Sequence, residues 1–146
     1  MNMKPLLLSW QFWAVLSAVF AALTAIFAKV GIQNINSDFA TFIRTVVIVG
    51  VLGAILVFTK EWQPIGSITS KTWVFLALSG LATGASWLCY FRALQLGNAS
   101  QVAPIDKLSV VLVALFGALF LGESLSSVGW VGVMFIALGS FLVATN

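Results

Sequence analysis

Five long apolar stretches, almost free of charged residues, dominate this sequence and leave few folds open to it. They lie at about residues 10–28, 39–58, 73–96, 102–121 and 128–144. Each is close to the ~20 residues that an α-helix needs to cross the hydrocarbon core of a bilayer. Their apolar residues run continuously and do not alternate with polar ones, which argues against barrel strands. The sequence therefore predicts an all-α integral membrane protein with five transmembrane helices.

The composition excludes several other classes of protein. Apolar residues make up 61% of the 146-residue chain and charged residues only 8%, whereas charged residues form about 25% of an average soluble domain. The net charge of +3 comes from seven scattered basic residues, so we expect no binding to nucleic acid. The chain has no histidine, and Cys89 is its single cysteine. We therefore expect no intrachain disulfide, no metal site and no cofactor.

Short polar segments separate the predicted helices and carry residues that begin helices. Ser37 or Asp38 can cap the second helix, and Ser126 or Ser127 can cap the fifth. The connection over residues 60–70 is the longest. Connections this short predict antiparallel neighbours within one domain that spans residues 1–146.

Basic residues give no clear orientation in the membrane. Because the number of helices is odd, the two termini lie on opposite sides, here called side A for the N-terminal side and side B for the other. The basic residues are Lys4, Lys60 and Lys71 on side A, and Lys29, Arg44, Arg92 and Lys107 on side B. The positive-inside rule selects no orientation from this distribution. Either the signal is weak, or the chain inserts both ways and pairs as an inverted dimer.

Polar residues form stripes along two of the predicted helices. They recur every three or four positions on the third helix, which places them on one face, and a shorter stripe follows the first helix. The members are Ser17 and Thr24 on the first helix, and Ser79, Thr83, Ser86, Trp87 and Tyr90 on the third. One explanation is a path for a small solute. The other is helix packing, in which the hydroxyl groups bond to their own backbone.

Charged residues gather at the side-B ends of the predicted helices. The set is Lys29, Arg44, Arg92, Asp106 and Lys107, with Asp38 nearby. One explanation is a basic mouth that attracts anionic solutes or holds a gate by ion pairing. The other is contact with lipid phosphates, which is favoured for Lys29. Arg44 lies about two turns into the second helix, about 10 Å at 1.5 Å per residue, which is a large part of the ~15 Å half-thickness of the hydrocarbon core. Its long side chain either reaches the interface or has a partner inside the bundle, for which Asp106 and Tyr90 are candidates.

No carboxylate lies near the middle of any predicted helix, and the first helix has none at all. A proton-coupled exporter of cations normally needs a carboxylate inside the membrane. The sequence therefore argues against cationic multidrug export by that mechanism. It also offers no pair of nucleophile and base, so we do not expect an enzyme.

The third and fourth helices together read GLATGASWLCYFRALQLGNASQVAPIDKLSVVLVALFGALFLGESLS. This segment resembles the EamA-type half of the drug/metabolite transporter superfamily. The shared features are an aromatic-rich third helix ending in YFRAL, a Gly-x-Ala-Ser turn, APID, and a fourth helix closing with LGE. ALTAIFAKVG in the first helix and FIRTVV in the second fit the same pattern. The resemblance covers essentially all 146 residues, and its specificity lies in the order and spacing of these elements.

The resemblance implies one half of a drug/metabolite-transporter fold, because typical members have ten spans built as two inverted five-span halves. It implies a secondary transporter, an exporter of small metabolites by alternating access. The chain is similar to a short five-span branch of bacterial inner-membrane proteins, which an inverted second copy would complete as a homodimer. Membrane lipids and a small-molecule substrate are then its partners. Carried over by position, the family's arginines are Arg44 and Arg92, and Glu123 is a structural residue near the start of the fifth helix.

The chain departs from the related small multidrug transporters in its first helix. They carry a glutamate there, whereas this helix offers Ser17 and Thr24, so their proton-coupled mechanism is not carried over. Two other functions stay open. The chain could translocate a lipid or a lipid-linked anionic headgroup, or it could be a non-transporting subunit of another membrane protein.

Overall fold

The computed structural model describes residues 9–145, which are mostly helical. The helices are α1 (Trp10–Gly31), α2 (Ser37–Thr59), α3 (Ser70–Leu96), α4 (Ala99–Asp106), α5 (Ser109–Phe120) and α6 (Ser127–Ala144), with a 3₁₀ turn at Ile65–Ser67. No strand occurs among residues 9–145. By length and composition, α1, α2, α3, α6 and the α4–α5 pair are candidate membrane spans. The predicted all-α membrane protein with five spans is confirmed.

Side-chain caps begin two of the helices. The cap of α2 is Asn36, whose side chain accepts hydrogen bonds from the backbone N–H groups of Asp38 at 2.8 Å and Phe39 at 3.1 Å. The sequence predicted Ser37 or Asp38 as this cap and was wrong, because α2 already begins at Ser37. Asn is as good an N-cap as Ser. At α6, Ser126 Oγ accepts from the N–H of Gly129 at 3.2 Å, as predicted.

The fourth span is a broken helix, although the sequence predicts a continuous one. The interruption between α4 and α5 falls at Lys107 and Leu108. Here the N–H of Leu108 donates to the Ile105 carbonyl at 2.9 Å, and that of Val110 donates to the Lys107 carbonyl at 3.0 Å. These are the i→i−3 bonds of a tighter 3₁₀ turn. Neither residue at the interruption is Gly or Pro, but Pro104 lies inside α4 three residues before Lys107, and a proline in a helix interior is a conventional signal for a kink or break.

The described residues form two compact units, one of residues 31–96 and the other of residues 9–30 together with 97–145. In the 31–96 unit, α2 packs against α3. In the other unit, α6 packs against both α4 and α5.

Gln95, at the end of α3, fastens the turn that precedes α2. Its Nε2 donates hydrogen bonds to the backbone carbonyls of Ile35 at 2.7 Å and Ile32 at 3.3 Å. Carbonyls in a turn lack the regular partners of a helix and need such donors when water is scarce. Phe91 and Leu94, on the same turns of α3, are 2% and 0% exposed. The two hydrogen bonds of Gln95 and a small apolar core around Phe91 and Leu94 therefore stabilise this end of the unit.

In the other unit, Glu123 lies just after α5 and bonds to its last turn. The chain turns back at Gly122, which has a left-handed φ of 69°, and the N–H of Glu123 donates to the Gly117 carbonyl at 3.1 Å. The Glu123 carboxylate lies over Gly117, where an added Cβ would meet Oε2 at 2.8 Å. Glu123 thus closes the end of α5, whereas the cap of α6 is Ser126.

Most apolar side chains of the spans face outward. Within the most apolar stretch of each span, 6% of the residues are buried. The buried apolar residues of the described chain are Ala25, Ala28, Ile32, Phe91 and Leu94. Helices with so little buried surface need an apolar surrounding, which lipid supplies. The chain is thus a multi-pass membrane protein.

We expect Gln95→Leu to lower the free energy of unfolding in detergent by about 1–3 kcal/mol, because the carbonyls of Ile32 and Ile35 lose their donor. Unfolding by sodium dodecyl sulfate, followed by circular dichroism, measures this loss. Gln33→Leu is the matched control, since Gln33 is exposed in the same turn. Equal stability of the two variants would contradict the role given to Gln95.

Candidate functional site

Arg44 of α2 lies against aromatic side chains of α3, and we call Arg44, Trp87, Tyr90 and Phe91 the arginine–aromatic cluster. The guanidinium carbon of Arg44 lies 4.4 Å from the centre of the Trp87 ring and 5.1 Å from the centre of the Phe91 ring. Trp87 and Phe91 are four residues apart and so share one face of α3. Tyr90 packs edge-on against Phe91, with 6.5 Å between ring centres, and so belongs to the same cluster. The aromatic faces therefore attract and hold the cation.

The rings compensate the charge of Arg44 but leave part of its hydrogen-bonding capacity unused. Its Nη1 atom is buried and forms no hydrogen bond with any residue from 9 to 145. The acids of the 31–96 unit are Asp38 and Glu61, and the salt bridge found over the described residues joins Lys107 to Asp106. A buried donor without an acceptor costs about 1–3 kcal/mol. The cluster thus contains a buried donor for which residues 9–145 provide no acceptor.

The hydroxyl groups near Arg44 on α2 are bonded within their own helix. Thr41 is buried, and its hydroxyl donates to the Ser37 carbonyl at 2.8 Å. The Thr45 hydroxyl donates to the Thr41 carbonyl, also at 2.8 Å. Such back-bonding satisfies hydroxyl groups inside a membrane without help from another helix. The protons of Thr41 and Thr45 are therefore already used.

The predicted polar stripe of α3 divides into two groups. Trp87 and Tyr90 are half-buried and belong to the arginine–aromatic cluster. Ser79, Thr83 and Ser86 are exposed. The Thr83 hydroxyl donates to the Ser79 carbonyl at 2.9 Å, which is the local bond that the packing explanation requires. The structure thus brings two of the five α3 residues into the arginine–aromatic cluster.

The predicted path residues of α1 lie in the unit of residues 9–30 and 97–145. There Ser17 is exposed and Thr24 is half-buried. A path lined jointly by the stripes of α1 and α3 stays a prediction.

The predicted charge cluster takes several separate arrangements. Lys29 Nζ donates to the Gly97 carbonyl at 2.8 Å, a protein partner in place of the lipid phosphate favoured from the sequence. Lys107 Nζ bonds to Asp106 Oδ2 at 3.2 Å, and both side chains are partly exposed. Arg92 is exposed on α3. Of the two partners predicted for Arg44, Asp106 bonds to Lys107, whereas Tyr90 packs against Phe91, which lies beside Arg44.

Two residues of this region were missed by the sequence analysis. Phe91 forms part of the surface on which Arg44 rests, and Gln95 fastens the turn before α2. The signal that could have found them is spacing, because Trp87, Phe91 and Gln95 follow at intervals of four. Residues four apart lie above one another on a helix. A search for the whole face that carries Trp87 would have included both.

Comparison with known proteins gives two matches and one negative result. The profile of the EamA-like transporter family matches residues 8–145. A protein from Sinorhizobium sp., named "Uncharacterized transporter in cobO 3'region", is 67% identical over 136 residues, which cover 93% of this chain and 96% of the relative. No solved structure matches the chain significantly.

A double-mutant cycle tests the contact between Arg44 and Trp87. We expect Arg44→Met and Trp87→Leu to show a coupling free energy of about 0.5–2 kcal/mol in detergent unfolding, the range of a cation–π contact. Circular dichroism is the readout, since it does not depend on tryptophan emission. The control cycle pairs Arg44→Met with Trp73→Leu near the start of α3, for which we expect coupling near zero. The same coupling in both cycles would contradict the contact.

Proposed function

Because the chain belongs to the EamA-like transporter family, we propose that it is a secondary transporter that exports small metabolites across the bacterial inner membrane. The observation that carries this proposal is the family match over residues 8–145, which takes in all five candidate spans. The relative from Sinorhizobium sp. is also named a transporter. These matches point to a transporter rather than an enzyme.

The proposed mechanism is alternating access within an inverted homodimer. Alternating access commonly uses two structural repeats of opposite orientation that rock around one binding site. The relative is covered over 96% of its length, so it too has the length of one five-span unit. A second copy inserted the other way round would supply the missing repeat. The even distribution of basic residues supports this arrangement, because it favours neither orientation.

The exposed face of α3 is a further part of the proposal. Ser79, Thr83 and Ser86 are exposed on this helix. In the inverted dimer these hydroxyl groups would face the solute path, and the second copy would cover them from lipid. Such a path is polar enough for a small metabolite and holds no carboxylate that would retain a cation.

Export is tested by comparing bacterial cells that overproduce the chain with cells that lack it. We expect at least one small metabolite to accumulate in the medium of the overproducing cells and to fall inside them. Mass spectrometry of medium and cell extracts measures both changes. Overproduced Arg44→Ala protein, inserted to the same level, is the control, and we expect it to lose most of the difference. Identical profiles of overproducing and lacking cells would contradict export.

Dual orientation is tested by adding charge to one side at a time. Wild-type chain with reporters after Asn146 should give both cytoplasmic and external signals. Glu61→Lys with Gln63→Lys should fix one orientation, and Gln33→Lys with Asn34→Lys the other, because loops rich in lysine stay in the cytoplasm. All four positions are exposed.

The two fixed variants also test the inverted pair. Each should lose the export difference when produced alone, and co-production should restore it. If either fixed variant exports alone as well as the wild type, the inverted dimer is wrong. If the wild-type reporter signals from one side only, dual insertion is wrong.

A further inference from the structure

We propose that the arginine–aromatic cluster binds an anionic oxygen group, a carboxylate or a phosphate, of the transported solute. This inference rests on the proposed transport function and names the chemical class of its substrate. Its physical basis is the positive charge of Arg44, which lies inside a span and has a buried N–H group without an acceptor among residues 9–145.

Among residues 9–145, Arg44 differs from the other half-buried cation, Lys29, in how its hydrogen bonds are satisfied. Lys29 is half-buried and has the Gly97 carbonyl at 2.8 Å. Arg44 is half-buried as well, yet its Nη1 meets no acceptor among residues 9–145. A guanidinium has only donors and no acceptor, so it can be completed only by an oxygen or another electron-rich atom. Residues 9–145 do not supply such an atom to Nη1, and we assign that role to a ligand.

The rings determine how a ligand can approach Arg44. With its carbon 4.4 Å from the Trp87 ring centre, the guanidinium has an aromatic surface over it. A ligand then meets the edge of the group, where its N–H bonds point. That edge forms a planar fork which matches the two oxygens of a carboxylate or a phosphate. The shape of the donor set therefore favours an oxygen anion over a halide.

Stability alone does not explain Arg44. Replacement of buried ionic groups by apolar residues of similar volume is often neutral or stabilising, and a leucine or methionine would suit this position on α2. This chain instead has an arginine at a position where its charge has no carboxylate partner within the described residues. Ionisable residues in spans are most often functional for this reason. An anion that arrives with the solute supplies the missing partner.

The composition of the chain makes a direct test possible. Arg44 and Arg92 are its only arginines, so protein labelled with ¹⁵N-arginine gives just two side-chain Nε–H signals in nuclear magnetic resonance. Arg92 is exposed and serves as the internal reference. The protein is held in uncharged maltoside micelles and titrated with sodium benzoate or sodium phosphate, with sodium chloride at matched ionic strength as control.

We expect the Arg44 signal to shift and saturate with benzoate or phosphate, while the Arg92 signal changes little and chloride has no saturable effect. A second arm places the protein in nanodiscs with and without phosphatidylglycerol. If only the anionic lipid shifts Arg44, the oxygen anion is a lipid headgroup and the proposal of a soluble solute is overturned. If no probe shifts Arg44, or chloride acts equally, the site itself is wrong.

Variants separate binding from folding. Lys71→Gln removes one positive charge from the exposed first turn of α3. The affinity for benzoate or phosphate, measured from the shift of the Arg44 signal, should stay within about twofold of the wild-type value. Trp87→Leu keeps Arg44 but removes its aromatic support, and should weaken the affinity by about tenfold, the scale of 1.4 kcal/mol. Equal affinities in the two variants would overturn the role of the cluster. Because these measurements need no transport, a failed export test with a saturable Arg44 shift would reject the proposed function alone.

Discussion

A guanidinium inside a membrane span is the constraint on which this end of the molecule depends. Arg44 cannot lose its proton, so its charge has to be compensated in place. Three partners can do so: a carboxylate, a set of backbone carbonyls, or aromatic faces. The chain uses the third, with Trp87 and Phe91 of α3. Rings compensate charge without accepting hydrogen bonds of normal strength. The aromatic contact therefore holds the guanidinium in place but leaves its Nη1 without an acceptor among residues 9–145.

Because Arg44 lies on α2 and its aromatic partners lie on α3, the packing of these two helices and the arginine–aromatic cluster depend on each other. The contact lasts only while the two helices keep their spacing, and their apolar contact is small. Gln95 helps to preserve it, because its bonds to Ile32 and Ile35 join the end of α3 to the turn that leads into α2. Thr41, Thr45 and Thr83 bond within their own helices and demand nothing from a neighbour. The polar residues thus fall into those that fix the arrangement of helices and those that leave it free.

The sequence predicted the spans well because length and hydropathy decide which segments enter a bilayer. It also predicted that Arg44 lies about two turns into α2, because this position follows from counting residues along the helix. It did not predict Phe91 as a partner, or the interruption at Lys107 and Leu108. In a soluble protein the apolar face of a helix shows which side is buried. In these spans most faces are apolar, and the polar stripe of α3 contains both exposed and half-buried residues, so hydropathy does not tell which side of α3 meets α2.

The off-centre position of Arg44 has a consequence for a pair of opposed copies. Arg44 lies in the first half of the 23-residue α2, so it belongs to one leaflet in one copy and to the other leaflet in an inverted copy. The pair would then hold two equivalent arginine–aromatic clusters, one toward each side of the shared binding region. Equal sites give a solute no preference for either end, so the clusters themselves supply no direction. In such a pair, the solute gradient or a coupled ion would have to set the direction of transport, and the proposed role of Arg44 would be to select the class of solute.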